Sequence, residues 1–104
     1  MNTQSNITKS ELLAVLQQWQ QQKISSDQLQ VWMINRYDPT EVNIGPNEPE
    51  HIQEAMNIIM NEYELADPST ILREKCALAI MFLNCETDTF LSLRSDFIRN
   101  AFSD

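Results

Sequence analysis

The sequence predicts an all-α fold: a single-domain bundle of about five helices with one long acidic loop between helices 2 and 3. Only one of the 104 residues is glycine, although tight hairpins usually need glycine for a positive φ. Good helix formers such as glutamine, leucine and glutamate are abundant. Apolar residues also recur at helical spacing. A chain of this length is expected to form one domain, residues 1–104, in which residues 1–7 are a frayed leader.

Two capping boxes predict where the first two helices begin. In this pattern, a hydroxyl side chain and a residue three positions later satisfy each other's free backbone N–H groups. Thr8 and Glu11 fit the pattern and predict helix 1 over residues 9–22. Ser25 and Gln28 fit it again and predict the start of helix 2. The short joint between the two helices predicts an antiparallel pair.

The only sizeable loop is predicted at residues 38–48. Pro39 disfavours a helical conformation at Asp38, so helix 2 is expected to end there. Val42 and Ile44 alternate with polar neighbours, but two residues are too few to predict a strand. We expect an ordered excursion over the surface, a kind of segment that often carries recognition.

Helix 3 is expected to begin at Pro49, because a proline in the first helical position loses no hydrogen bond there. Its apolar residues form one stripe. On a helical wheel, its acids and amides lie on the opposite side. The residues of that outward face are Glu50, Glu54, Asn57, Asn61 and Glu64.

Two further start signals predict helices 4 and 5. Asp67 followed by Pro68 is a helix-start pattern and predicts helix 4 over residues 68–85. Helix 4 is apolar around most of its second half, so it is expected to be the central helix. Thr87 or Asp88 is expected to cap helix 5.

The tryptophans and cysteines allow predictions about the core and the compartment. Trp19 and Trp32 lie on apolar stripes and are expected in the core. Cys76 and Cys85 are predicted on opposite faces of helix 4, too far apart to form a disulfide. Free thiols suit a reducing cytoplasm. The sequence also shows neither a signal peptide nor an apolar run long enough to span a bilayer, so a cytoplasmic location is expected.

The net charge is concentrated in the middle of the chain. The protein has 15 acids, 7 bases and a net charge of −8. Residues 38–67 hold eight of those acids and no lysine or arginine, so the remainder of the chain is neutral. A concentrated negative field attracts a basic partner and repels nucleic acids and anionic membranes. The charge therefore predicts a class of partner rather than a chemistry.

No pattern of catalytic or metal-binding residues is present in the sequence. His51 is the only histidine, and no close cysteine pair accompanies it to form a zinc site. The acids do not follow a calcium-loop pattern, and there is no glycine-rich phosphate loop. Glu50 and Glu54 are better explained as a solvated helix face than as an acid–base pair. We therefore expect no enzyme, no catalytic residues, no metal and no cofactor.

The acids of the central segment are the candidate binding residues. Solubilisation alone is the competing explanation for them. Tyr37 and Tyr63 flank this segment, and each is expected to be half core with its hydroxyl at a binding rim. The full candidate set is Tyr37, Asp38, Glu41, Glu48, Glu50, Glu54, Glu62, Tyr63, Glu64 and Asp67.

The chain resembles the small acidic helical immunity proteins that bacteria make beside a toxin, in contact-dependent growth inhibition and colicin-type systems. The resemblance rests on Trp19, Lys23-Ile24-Ser25, Leu29, Trp32 and Arg36-Tyr37, then the acidic loop, then Glu62-Tyr63-Glu64-Leu65-Ala66-Asp67-Pro68. It implies an inhibitor that binds the C-terminal nuclease domain of a cognate toxin, at the active site or a nearby exosite. Such domains are often basic because they bind nucleic-acid phosphates.

Two other functions fit the same sequence features. One is a different acidic protein-binding module, either an anti-defence inhibitor or a nucleic-acid mimic that occupies a basic groove. The other is a structural subunit whose acidic face only solubilises it. A monomer is expected rather than a homodimer.

Overall fold

The computed structural model describes residues 5–38 and 40–103. Its helices confirm the predicted fold class, because five α-helices account for most of the described chain. They are α1 (Lys9–Gln20), α2 (Ser26–Arg36), α3 (Glu50–Leu65), α4 (Cys76–Leu83) and α5 (Phe90–Asn100).

A two-stranded parallel sheet accompanies the helices. Strand β1 (Ser5–Ile7) pairs with β2 (Val42–Ile44), and Ile7 lies opposite Ile44. Residues 5–7 were expected to belong to a frayed leader, which is wrong, because the side chain of Ile7 is fully buried in the core. The rest of the predicted leader, residues 1–4, lies outside the described residues. The alternation of Val42 and Ile44 does mark a strand, and its partner lies 37 residues earlier in the chain.

Both predicted capping boxes form. The Thr8 hydroxyl accepts the Glu11 N–H at 3.0 Å, and the Glu11 carboxylate accepts the Thr8 N–H at 3.2 Å. Ser25 and Gln28 make the same reciprocal pair at 3.0 and 2.8 Å. These bonds fix the starts of α1 and α2. The helices end at Gln20 and Arg36, each two residues before the predicted end.

The predicted helix 4 is interrupted. The segment 68–75 forms two short 3₁₀ turns, Pro68–Thr70 and Arg73–Lys75, and only Cys76–Leu83 is α-helical. Between the turns, Ile71 and Leu72 are extended, with ψ of 94° and 115°. This break buries the side chain of Ile71.

The same break also brings Arg73 to the end of α1. Its Nε donates to the Trp19 carbonyl at 2.8 Å, and its Nη2 donates to the Ile24 carbonyl at 3.2 Å. Carbonyls at a helix end have no partner within the helix. Arg73 therefore stabilises the joint between α1 and α2. The break in the predicted helix 4 is what allows it to reach this position.

The start of α5 also differs from the prediction. The N-cap residue is Thr89, not Thr87 or Asp88, and its side chain makes no capping bond to the helix. Instead, the Thr89 hydroxyl accepts the Glu86 N–H at 3.0 Å within the preceding turn. The turn, and not a helix cap, sets the position of α5.

Aromatic rings form the centre of the core. Trp19 and Tyr63 meet edge to face with centroids 5.7 Å apart, and Tyr63 also contacts the rings of Phe97 and Phe102. Trp19 is fully buried, as predicted. Trp32 is only half-buried and packs against the core from outside, so its assignment to the core is only partly right.

The two cysteines are free, as predicted, and both are buried. The thiol of Cys76 donates to the Leu16 carbonyl at 3.2 Å. Cys85 lies two residues beyond the end of α4, so the prediction that both share one helix is wrong. Among the described helices, none has the length and apolar character that crossing a bilayer requires.

Candidate functional site

The outward face of α3 carries three carboxylates on one side. Glu50, Glu54 and Glu64 fall within an arc of about 80° at 100° per residue, and the helix is about 24 Å long. Glu50 and Glu54 are exposed and Glu64 is half-buried. We call these three residues the acidic face. The opposite side is buried, as the predicted apolar stripe requires; its residues are Ile52, Ala55, Met56, Ile59, Met60 and Tyr63.

The carboxylates of residues 38–67 are not neutralised by bases from elsewhere in the described chain. The one ion pair found in residues 5–38 and 40–103 joins Arg36 and Glu11 at 3.0 Å, and both residues lie outside the acidic segment. The Arg36 guanidinium also lies 5.3 Å from the centroid of the Trp32 ring, so it is fixed beside α1 and α2. The negative charge of α3 therefore faces solvent without a compensating partner there.

Two predicted site residues have local structural roles. Asp38 Oδ1 accepts hydrogen bonds from the N–H and hydroxyl of Thr40, at 3.2 and 2.7 Å. Asp67 Oδ1 accepts the N–H and hydroxyl of Ser69, at 3.0 and 2.8 Å. The side-chain bond to Thr40, followed by its backbone bond, lowers the pKa of Asp38, and the backbone and then side-chain bonds to Ser69 lower the pKa of Asp67. Both residues stay charged while they hold turns.

Glu41 and Glu48 lie on the two sides of β2. Glu41 is exposed at the turn that enters the strand, and its N–H donates to the Asp38 carbonyl at 3.0 Å. Glu48 is half-buried in the turn that leaves it, and its N–H donates to the Gly45 carbonyl at 3.0 Å. The strand separates the two residues, so they do not form one cluster of carboxylates.

Tyr37 lies at the contact between α2 and α3. Its hydroxyl donates to Asn57 Oδ1 at 3.0 Å, and Asn57 Nδ2 donates to the Gln53 carbonyl at 2.9 Å. Burial, and then the negative charge of Glu64, raise the pKa of Tyr37. The ring is half-buried, as predicted, and its hydroxyl is already used within the fold.

Tyr63 is not a surface residue, so its assignment to a binding rim is wrong. It is 1% exposed, and burial raises the pKa of its hydroxyl. Its hydroxyl has no hydrogen-bond partner in the described part of the chain. On the helical wheel, Tyr63 falls on the α3 side that packs into the core.

Glu62 belongs to a different surface from the acidic face. It lies about 160° around α3 from Glu64. There it lines a pocket of about 240 Å³ with Leu65, Ile98 and Phe102, at the contact between α3 and α5. The predicted set of ten residues is thus divided between several surfaces, the turns beside β2 and the core.

A groove between α1 and α2 was not predicted from the sequence. Its volume is about 320 Å³, and apolar side chains, among them Val15, Ile24 and Trp32, form much of its wall. Trp32 was assigned to the core because its spacing matches the apolar stripe of α2. Arg36, one turn later, could have indicated that the Trp32 ring is partly exposed, because a base at that spacing can stack on an exposed ring.

The lone histidine closes a contact between helices. His51 Nε2 lies 3.2 Å from the Cys85 carbonyl, which links the first turn of α3 to the segment after α4. The described residues contain no group of three or more histidine, cysteine or acidic side chains placed to hold a metal ion.

In comparisons with known proteins, no family model, curated protein or solved structure matches the chain.

Proposed function

We propose that this protein is an immunity protein, which binds a basic nuclease domain of a cognate bacterial toxin and neutralises it. The observation that carries the proposal is the acidic face, Glu50, Glu54 and Glu64, which has no ion-pair partner among the described residues. Carboxylates on a long helix are placed by the backbone, so they can meet a basic surface with little reorganisation.

Charge complementarity of this kind acts mainly on the rate of association. A negative helix face attracts lysines and arginines over about one Debye length, and the attraction weakens as salt rises. An inhibitor that competes with nucleic acid for a basic surface benefits from this rate, because it must bind before the substrate does. Individual rim pairs contribute only about 0–1 kcal/mol each, so the contact also needs desolvated groups.

The partner is tested first by co-expression. The chain is produced together with the C-terminal domain of any toxin-like protein that is encoded next to it, and copurification and cell survival are measured. The expected result is a stable complex and protection of the host cell. A chain that neither binds this domain nor protects against it is not its immunity protein.

The acidic face is tested with two triple variants. One changes Glu50, Glu54 and Glu64 to glutamine. The control changes three exposed acids elsewhere; its substitutions are Glu74→Gln, Glu86→Gln and Asp96→Asn. Each variant raises the net charge by three units, so any difference between them reports position rather than total charge.

The face variant is expected to associate with the toxin domain roughly tenfold more slowly at low salt, and the control much less so. Stopped-flow fluorescence at several ionic strengths measures the rates. Equal slowing in both variants would mean that only the total charge matters, and no slowing in either would remove the electrostatic basis of the proposal.

A further inference from the structure

An exposed apolar patch lies where the end of α3 meets the second half of α5. Leu65 is 73% exposed and Ile98 is 39% exposed. Together with half-buried Phe102 and Glu62, they line the pocket of about 240 Å³. We call these four residues the α3–α5 patch. A soluble chain rarely leaves a large apolar side chain this exposed beside an apolar recess unless something covers them.

Leu91 extends the patch along α5. It is 73% exposed, and it precedes Ile98 by seven residues, which is two helical turns and therefore the same side of the helix. The surface thus has both projecting leucine side chains and a recess that can receive one. This combination allows the surface to pack against a copy of itself.

The charges beside the patch have opposite signs. Arg94 lies one turn before Ile98, and Arg99 follows Ile98 directly, both exposed. Neither of them, nor Glu62 across the pocket, makes an ion pair within residues 5–38 and 40–103. The α5 helix holds two arginines and one acid, whereas α3 holds four acids and no lysine or arginine.

We propose that the α3–α5 patch is the contact between two copies of this chain, related by a two-fold axis. In such a contact the same surface is used twice, so each feature meets its complement in the other copy. Leucine side chains of one copy enter the pocket of the other, and Glu62 faces the arginines of the partner's α5. The acidic face of α3 is not used, so a dimer leaves it free on each copy.

Charge complementarity selects a second copy over the basic partner of the acidic face. A basic protein placed on this patch would meet Arg94 and Arg99 and be repelled. A second copy instead brings Glu62 to those arginines, and it does so twice. The proposal is therefore independent of the proposed function.

The first test is sedimentation velocity on the full chain over a wide range of concentrations, from about 1 µM to about 500 µM. We expect a reversible monomer–dimer equilibrium. A species that remains monomeric throughout this range overturns the proposal. Assemblies that grow beyond a dimer also overturn it, because a two-fold contact closes on itself.

The second test separates the patch from other exposed apolar residues. The double variant Leu65→Ser and Leu91→Ser is expected to raise the dimer dissociation constant at least about tenfold, since each leucine is buried twice in the dimer. The matched control changes Val31 and Ile34 of α2, 53% and 50% exposed, to serine and is expected to leave it unchanged. Equal effects, or an effect of the control alone, would contradict the assignment.

The third test uses charge reversal and does not depend on weakened packing. Glu62→Arg alone places like charges opposite each other in the dimer, and so does the double variant Arg94→Glu and Arg99→Glu. Each alone is expected to be monomeric. Mixed together they restore opposite charges at both contacts, so a heterodimer is expected although both chains keep a net negative charge. Its formation also shows that both variants are folded, and its absence would refute the pairing.

Discussion

Replacing Tyr63 with phenylalanine is expected to make the protein more stable. The hydroxyl of Tyr63 is buried and has no hydrogen-bond partner in the described residues. Phenylalanine removes that hydroxyl and keeps the ring, which packs 5.7 Å from Trp19, 5.9 Å from Phe97 and 5.1 Å from Phe102 between centroids. The substitution therefore changes one polar group and preserves the aromatic contacts.

The size of the effect follows from the cost of the unpaired group. A buried polar group without a partner costs about 1–3 kcal/mol. Removing the oxygen also leaves a small void and loses its dispersion contacts, which offsets part of the gain. We expect a net increase of about 1 kcal/mol in the free energy of unfolding. This corresponds to a rise of about 0.5 M in the urea midpoint.

Tyr37→Phe is the matched control. It removes the same atom from a tyrosine that directly follows the neighbouring helix α2, but there the hydroxyl donates to Asn57 Oδ1 at 3.0 Å. Losing that bond is expected to reduce the free energy of unfolding by about 1 kcal/mol. Urea titrations followed by far-UV circular dichroism measure both variants, which should shift in opposite directions from the unmodified chain.

A clear result would refute this reasoning. If Tyr63→Phe loses about 1 kcal/mol or more, as an ordinary broken hydrogen bond does, then the Tyr63 hydroxyl has a partner in solution. If both tyrosine variants lose the same free energy of unfolding, the unpaired hydroxyl of Tyr63 does not differ in its effect on stability from the paired hydroxyl of Tyr37.

The remaining predictions concern packing, backbone and a thiol. Trp19→Ala is expected to cost about 3–5 kcal/mol and Trp32→Ala about half as much or less, because only Trp19 is fully buried; chemical denaturation measures both, and equal losses would contradict the burial difference. Gly45→Ala is expected to cost about 1–2 kcal/mol, since Gly45 has φ of 63° and an added Cβ would lie 2.8 Å from Met56 Sδ; an unchanged urea midpoint would count against this. Burial raises the pKa of the Cys76 thiol to about 11. In the unfolded chain this thiol therefore ionises at a lower pH than it does in the folded protein. Its contribution to stability is complete below the ordinary thiol pKa of 9.0 and is lost as the pH rises towards 11. A Cys76→Ala variant should lose less stability than the unmodified chain between these two pH values.

Local signals predicted the starts of α1 and α2 well because they are complete within four residues. In each capping box, both hydrogen bonds join residues three apart, such as Ser25 and Gln28. Nothing distant is needed to form them. The apolar stripe of α3 was equally readable, because a helix places every third or fourth residue on one side whatever it packs against.

The failures have a common physical origin in contacts between distant parts of the chain. The capping pattern of Asp67 forms, but it starts a single 3₁₀ turn. The break that follows positions Arg73 against carbonyls about 50 residues earlier. Similarly, β2 forms because Ile7 pairs with Ile44. Neither contact produces a periodic pattern in the sequence around the residues that make it.

The candidate site was predicted only in part, because some of its residues also depend on contacts between distant parts of the chain. Charge counting located the acidic segment, and the wheel placed Glu50, Glu54 and Glu64 together. The wheel also places Tyr63 on the core side of α3, but the contacts of its ring with Trp19 and Phe97 depend on three helices and were not predictable. The wheel alone would have separated Glu62 from Glu64, because two residues along a helix point about 160° apart.

The acids of residues 38–67 can act at two ranges, and the two should be separable. The long-range field adds all eight charges regardless of direction, so in the proposed complex Asp38 and Asp67 would contribute to the attraction of a basic partner even while they hold turns. Short-range pairing requires carboxylates on one side of a rigid element, which only the acidic face provides. Loss of a turn acid should therefore slow association at low salt but leave the dissociation rate unchanged, once its structural cost is controlled by stability measurements. Loss of Glu54 should affect both rates if it pairs directly with a base of the partner. A Glu54 variant that changes only the salt-dependent association rate would show that α3 attracts the partner without contacting it.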